Sequence, residues 1–393
     1  MSYKTYAMLP QTEASLEHIL QHREQFLKAR RDRGLPSKPL VVCVSGCQGS
    51  GKTTLSDTLV HILREEPYNL SVVAFSLDDI YLTRNDQVKL AENNPGNQLL
   101  QFRGQAGSHD LSLAQTVFKV LLENNGESVR IPSYDKSLHA GRGDRLDESA
   151  WKEVYGPLDI VLFEGWSLGF KPLPKKEIER LYQTKKKSNE LVRFTQHPIE
   201  HIQKMNEYLR FYERDLYPLM DIFIHLSPEN REQVYHWRLE QEHHAKESRG
   251  VEGLSDEAVR EFVDTYMPAY ELYLPRLIEV GFFGQGRHGE NLKDYEGLNR
   301  RDGGYSGAER HMHMTLDQDR RVIRSQRIKE SVLEKLQTSA PGDNKSQGAD
   351  SRWINGRFIV SCTLVGILGF MVFSRRQHLI YFISVTSERW RTG

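Results

Sequence analysis

Residues 46–53 read G-C-Q-G-S-G-K-T, the G-x-x-x-x-G-K-[ST] pattern of a loop that wraps a polyphosphate. Glycines let backbone N–H groups turn inward around phosphate oxygens, and a helix opening at the end of the loop adds its partial positive charge. On this reading Gly46, Cys47, Gln48, Gly49, Ser50, Gly51, Lys52, Thr53 and Thr54 line a nucleoside triphosphate, with ATP the expected one. Lys52 reaches the β- and γ-phosphates, and the Thr53 hydroxyl ligates Mg²⁺. A Gly-rich turn with a stray lysine is the plain alternative. The flanks speak against it: an apolar run at 39–45 precedes the loop, and Leu55, Leu59, Ile62 and Leu63 follow at helical spacing.

Phosphoryl transfer to an alcohol needs a carboxylate that orients the acceptor hydroxyl and takes its proton. Asp78, in S-L-D-D-I-Y, is the candidate, and Asp79 beside it would face magnesium-bound water or a substrate hydroxyl. Adjacent aspartates after a strand can instead cap the next turn. Glu164 ends another apolar run, where an acid commonly holds magnesium together with Thr53. The segment 93–145 is polar and Gly-bearing, which suits a pocket for something small and anionic or hydroxylated. Tyr81, Arg103, His109, Tyr134, Lys136 and Arg142 are its candidate substrate contacts, arginine offering a two-pronged match to a carboxylate. Arg238, with Arg231 behind it, lies in the charge-dense stretch 229–246 and would close on the phosphates from a lid; an ion pair on an exposed helix is the alternative. His243-His244 and His311-Met-His313 lack a third ligand, so all four are expected to face solvent. Cys47 sits in a loop where its thiolate could be favoured, or where it is merely tolerated.

The elements that would position these groups are short apolar runs at 39–45, 70–76, 159–163 and 220–226, separated by helix-like stretches. They read as parallel strands buried on both faces of a doubly wound α/β sheet, with a helical lid. In such a sheet function gathers at the carboxyl ends of the strands, where 46–53, Asp78-Asp79 and Glu164-Gly165 all fall.

The 393 residues carry 53 basic and 53 acidic side chains, so no global field draws nucleic acid or an anionic membrane. Lys175–Lys187 mixes acids with bases and reads as a solvated helix face. Three cysteines without metal spacing suit a reducing, cytoplasmic compartment. Residues 1–37 read as a helical extension with Leu16, Ile19, Leu20 and Leu27 on one face, without a secretory or transit signal. The catalytic domain is expected at 38–328, a flexible linker at 329–356 and an apolar tail at 357–393. Within the tail, the uncharged run 358–374 is at the short end of a bilayer span: a tail anchor, and hence membrane contact, or a segment with no evolved role.

Several stretches together resemble the plant- and fungal-type D-glycerate 3-kinases, within the phosphoribulokinase/uridine kinase/pantothenate kinase group of P-loop kinases. They are S-L-D-D-I-Y-L-T (76–83), N-P-G-N (94–97), R-G-Q-A-G-S-H-D-L (103–111), P-S-Y-D-K-S (132–137), G-R-G-D-R (141–145), F-E-G-W-S-L-G-F-K-P (163–172), W-R-L-E-Q-E (237–242) and Y-M-P-A-Y-E-L-Y (266–273). The resemblance covers roughly 38–325 and implies ATP-dependent phosphorylation of the 3-hydroxyl of D-glycerate, with Asp78 in the position of the catalytic acid. The plant members carry a chloroplast transit peptide, which is not expected here, and the tail has no counterpart. A kinase for a uridine- or pantothenate-like alcohol and a non-catalytic ATP-binding switch are the competing readings. Loops rich in Arg, His and Lys favour an acid over a nucleoside, and a switch has no need of a polar acceptor pocket.

Overall fold

Unbroken apolar runs are what strands covered on both faces require, and in the computed structural model those at 39–45 and 159–163 become neighbouring strands of one six-stranded sheet. The structure describes residues 8–123, 125–188, 190–249, 254–284, 305 and 307–329. In chain order the strands are β1 (Leu40–Gly46), β2 (Val72–Ser76), β3 (Ser128–Ile131), β4 (Tyr134–Asp135), β5 (Asp144–Arg145), β6 (Lys152–Tyr155), β7 (Ile160–Gly165), β8 (Ile222–Pro228), β9 (His311–Leu316) and β10 (Val322–Ile328). The α-helices are α1 (Pro10–Asp32), α2 (Lys52–Arg64), α3 (Arg84–Glu92), α4 (Leu111–Glu123), α5 (Lys175–Lys187), α6 (Ile199–Asp215), α7 (Gln233–Arg249), α8 (Asp256–Asp264) and α9 (Met267–Glu279).

The large sheet runs β10-β9-β8-β1-β7-β2, parallel except for β10. Successive strand residues point to opposite faces, so β1 feeds two cores. Leu40, Val42 and Val44 join Leu16, Ile19 and Phe26 of α1 and Leu55, Leu59 and Leu63 of α2. Val41 and Cys43 face the other way, with Phe118 of α4, Met205 of α6 and Tyr270 of α9. This is the doubly wound, mostly parallel sheet expected. Arg23 of α1 reaches Asp159 at the start of β7 over 2.5 Å, which ties the N-terminal helix to the sheet. Basic α5 buries Ile178 and Tyr182 and leaves its last-turn lysines outward.

Two strands are additions. β9 and β10 extend the sheet beyond β8, and they correct the expectation that His311 and His313 face solvent: both are buried. They lie in register with Phe223 and His225 of β8: His313 stacks on His225 at 4.9 Å, and His311 sits edge-on to Phe223 at the same distance. His243 and His244 of α7 are exposed as expected. Among the described residues no helix is long and apolar enough to cross a membrane. The linker from 330 onward and the apolar tail lie outside the described residues.

Candidate active site

Three strand ends build the site. At the end of β1 the chain turns through Gly49 (φ +76°) and Gly51 (φ +86°) into α2, left-handed conformations that favour glycine. A Cβ on Gly49 would stand 2.5 Å from that of Trp237 on α7, whereas one on Gly51 would meet nothing within 4 Å. The loop is thus packed from behind and open in front. The brace has a second member that the sequence did not suggest. Arg320, in the turn between β9 and β10, donates from Nε to the Gly49 carbonyl over 2.6 Å, lies 5.4 Å over the Trp237 ring and pairs with Glu240. Gln48 meets the Tyr270 hydroxyl of α9. Cys47 is buried, and burial pushes its thiol up to about 12, against smaller opposing pulls from Tyr270 and Lys52. At neutral pH it is a thiol, so the thiolate reading does not apply.

Lys52 and Thr53 open α2 facing Glu164 at the end of β7. Thr53 Oγ1 donates to Glu164 Oε1 over 3.1 Å, and Lys52 Nζ stands 3.9 Å from Oε2. Among the described residues no cluster of three or more His, Cys, Asp or Glu could hold a metal. A hydroxyl and one carboxylate, with Oε2 otherwise lacking a hydrogen bond, do suit a magnesium ion that takes its remaining ligands from phosphates and water.

At the end of β2, Ser76 caps a short 3₁₀ turn, Leu77–Ile80. Its side chain accepts from Asp78 N, and Asp79 Oδ2 accepts from Ser76 N over 2.8 Å. The capping alternative therefore describes Asp79 through Oδ2, which is committed to the turn. Burial, with Asp78 and Glu164 nearby, pushes Asp79 up to about 6 despite the cap bond. Asp78 points elsewhere and receives Lys136 Nζ at 2.5 Å. Burial would raise its carboxyl, but the Lys136 ammonium overrides this and holds it down at about 2.

Lys136 sits in the turn of the β4–β5 ribbon, which arches over Asp78. Tyr134 of that ribbon packs 5.2 Å from Tyr81, itself stacked on His109 at 4.5 Å. Arg103 donates from Nη1 to the carbonyls of Gly141 and Arg142 and lies 5.6 Å over the Tyr134 ring, so it braces the ribbon. Arg142 is exposed, 4.8 Å over Phe102. Arg238 of α7 pairs with Glu242 on its own helix at 2.8 Å and lies 5.3 Å over Phe262; Arg231 is exposed. Arg103, Arg238 and Asp78 all bear electrostatically on the buried Tyr266. The structure so brings together Lys52, Thr53, Glu164, Asp78, Lys136, His109, Tyr81 and Tyr134, while leaving Arg142 at the rim. Tyr266, Tyr270 and Trp166 were missed as individual residues, although the Y-M-P-A-Y and F-E-G-W motifs contain them. Asp78 Oδ1, His109 Nε2, Glu164 Oε2 and Trp166 Nε1 are buried here without hydrogen-bond partners. Four such atoms gathered at one place suit a polar ligand.

Residues 41–172 match the family described as Phosphoribulokinase / Uridine kinase. The chain is 40% identical over 245 residues to D-glycerate 3-kinase, chloroplastic, of Arabidopsis thaliana; this covers 62% of the chain and 49% of that protein, so the chain spans about half its length. It is 40% identical over 267 residues to the uncharacterized kinase mug58 of Schizosaccharomyces pombe, covering 67% of this chain and 91% of that one. A solved structure described as D-glycerate 3-kinase from Cryptococcus neoformans superposes with a TM-score of 0.67 at 30% identity, over 81% of this chain and 99% of that chain.

Proposed function

The chain belongs to the phosphoribulokinase / uridine kinase family, and we propose that it is an ATP-dependent kinase that converts D-glycerate to 3-phospho-D-glycerate. The observation that carries the reading is the meeting of two half-sites. A phosphate loop with Thr53 and Glu164 lies on one side; Asp78, ringed by Lys136, His109 and tyrosines, lies on the other. The names of the Arabidopsis and Cryptococcus relatives supply the acceptor.

Lys52 and the loop amides hold the triphosphate, with Arg238 available from α7 to approach the transferring group. Thr53 and Glu164 hold Mg²⁺, which when bound neutralises charge on the phosphates. Asp78 orients the acceptor hydroxyl. A carboxyl held near 2 is a weak proton acceptor, which a loose, metaphosphate-like transition state tolerates because positioning matters more than early deprotonation. Lys136 supplies the positive charge for the acceptor carboxylate, and Arg142 waits at the rim. Free, buried Cys43 and Cys47 are in keeping with a reducing cytoplasm.

The test is ADP release by the full chain with Mg·ATP and D-glycerate, against L-glycerate, uridine and pantothenate. D-glycerate-stimulated turnover yielding 3-phosphoglycerate is expected. Stimulation by another alcohol moves the acceptor, and ATP binding without stimulation by any of them favours a non-catalytic switch.

A further inference from the structure

His109 enters the site from the loop before α4, pinned opposite Tyr81 by an isolated antiparallel bridge. It is 5% exposed, stacked on Tyr81 and edge-on to Tyr212 of α6 at 5.6 Å. The Tyr212 hydroxyl is buried between three groups. The Gly107 backbone N–H donates to it over 3.2 Å, the His109 backbone N–H also faces it, and His109 Nδ1 lies 2.6 Å away. A phenol oxygen accepts through two lone pairs and has one hydrogen to give. With amides on the accepting side, a protonated Nδ1 would leave that hydrogen stranded in the interior. The count balances when Tyr212 donates to a bare Nδ1, which puts the ring proton on Nε2. The tautomer is thus assigned from the hydrogen-bond pattern rather than from a located proton. Burial favours the neutral ring and takes His109 down to about 4, although the Asp78 carboxylate pulls the other way. Nε2 is buried, and no described residue accepts from it.

We propose that His109 determines acceptor specificity as a neutral Nε2–H donor to a hydroxyl or carboxylate oxygen of the phosphoryl acceptor, held in that tautomer by Tyr212. The proposal rests on the kinase reading above and gives that site a division of labour. Charge on the acceptor is met by Lys136, and His109 asks only for an oxygen lone pair at one point. An acceptor that presents a C–H there leaves the donor buried and unpaired, the situation in which polar sites reject analogues most strongly. Tyr212 acts through His109 and is a positioning residue.

Two measurements test this. Long-range ¹H–¹⁵N spectra of histidine-labelled full chain, without ligand and with His109→Gln for assignment, read the tautomer directly. A protonated Nε2 and a bare Nδ1, unchanged from pH 8 to pH 5, are expected, and Tyr212→Phe should mix the tautomers. A proton on Nδ1, or an imidazolium at pH 7, overturns the proposal whatever the acceptor is. In kinetics, His109→Leu should lose at least about tenfold in kcat/KM for D-glycerate with the KM for ATP unchanged, and His109→Gln, which keeps an N–H donor, should recover most of it. No loss in the leucine variant, or equal loss in both, overturns the donor role. Absence of D-glycerate turnover in the wild type would sink the kinase reading instead, and the spectra would still decide the tautomer.

Discussion

The ion pair between Lys136 and Asp78 makes a prediction that separates the charge state of the site from its chemistry. The perturbation is Lys136→Met, which keeps most of the side chain's length and removes its ammonium. In the wild type that ammonium, 2.5 Å from Oδ2, holds Asp78 at about 2 against an ordinary 3.8, although burial pushes upward. The gap between 3.8 and about 2 corresponds to about 2 kcal/mol at 1.36 kcal/mol per tenfold. That figure is the net of Lys136 against burial, and it is discounted for screening because the Lys136 side chain is 58% exposed. In the variant the weaker pull of Lys52 is left against burial, so the carboxyl should titrate above 3.8. A depressed carboxyl contributes stability above its unfolded value and loses it as pH falls through the folded one. The wild type's advantage in thermal stability should therefore be full near pH 7, shrink below the variant's midpoint and vanish near pH 2. A ¹³C titration of the Asp78 carboxyl, assigned with Asp78→Asn, reads the midpoint without any substrate. Coincident titration curves for wild type and variant would refute the claim that Lys136 sets the charge of Asp78.

Three further outcomes follow from the same geometry. Asp78→Asn should bind ATP normally but turn over at least about a hundredfold more slowly; near-normal turnover would remove Asp78 from the orienting role. Lys52→Ala should lose both activity and the thermal stabilisation conferred by ATP, so retained stabilisation contradicts the phosphate cradle. Gly49→Ala should cost about 2–5 kcal/mol of stability, combining about 1–2 for the left-handed backbone with about 1–3 for overlap with Trp237. Gly51→Ala, in open space, should cost only the first part; equal falls in Tm for the two, measured without nucleotide, would refute the brace.

Much of this was legible because the chemistry and its support are local in sequence. β1, the loop and α2 are contiguous, and continuous apolar runs announced β1, β2, β7 and β8 as doubly covered strands. β9 and β10 were not legible. His311-Met-His313-Met314 does not read as apolar although all four side chains are buried, and β10 is largely exposed, without the alternation that marks a half-buried strand. Arg320 and Trp237 are invisible for a related reason. Their task is to press on the back of a glycine some 270 and 190 residues away, and nothing in their own neighbourhood records it. Arg103 offers the fork that a carboxylate needs, and its Nη1 also braces the 141–142 carbonyls, a contact across a turn whose path the sequence does not give.

Asp78 and Asp79 show how a pair of identical residues is split into two roles. Both follow the same strand, both are pushed upward by burial, and their residue type gives no reason to prefer either. Ser76 breaks the tie. Its spacing to Asp79 is that of a capping box, in which the residue three positions on must turn back to the N-terminus of the turn it opens. Asp79 satisfies that amide and, facing Asp78 and Glu164, rises to about 6; its folded form binds a proton more tightly, so it adds stability as pH falls through that value. Asp78, one step around the same turn, is left free to meet Lys136 and falls to about 2, with the opposite dependence. At neutral pH the carboxylate paired with Lys136 is fully ionised, while the one beside it is the first to take up a proton. The box that selects between them needs only Ser76 and the count of three, so that part of the assignment was written in the sequence as S-L-D-D and became readable once the turn was known to follow the strand.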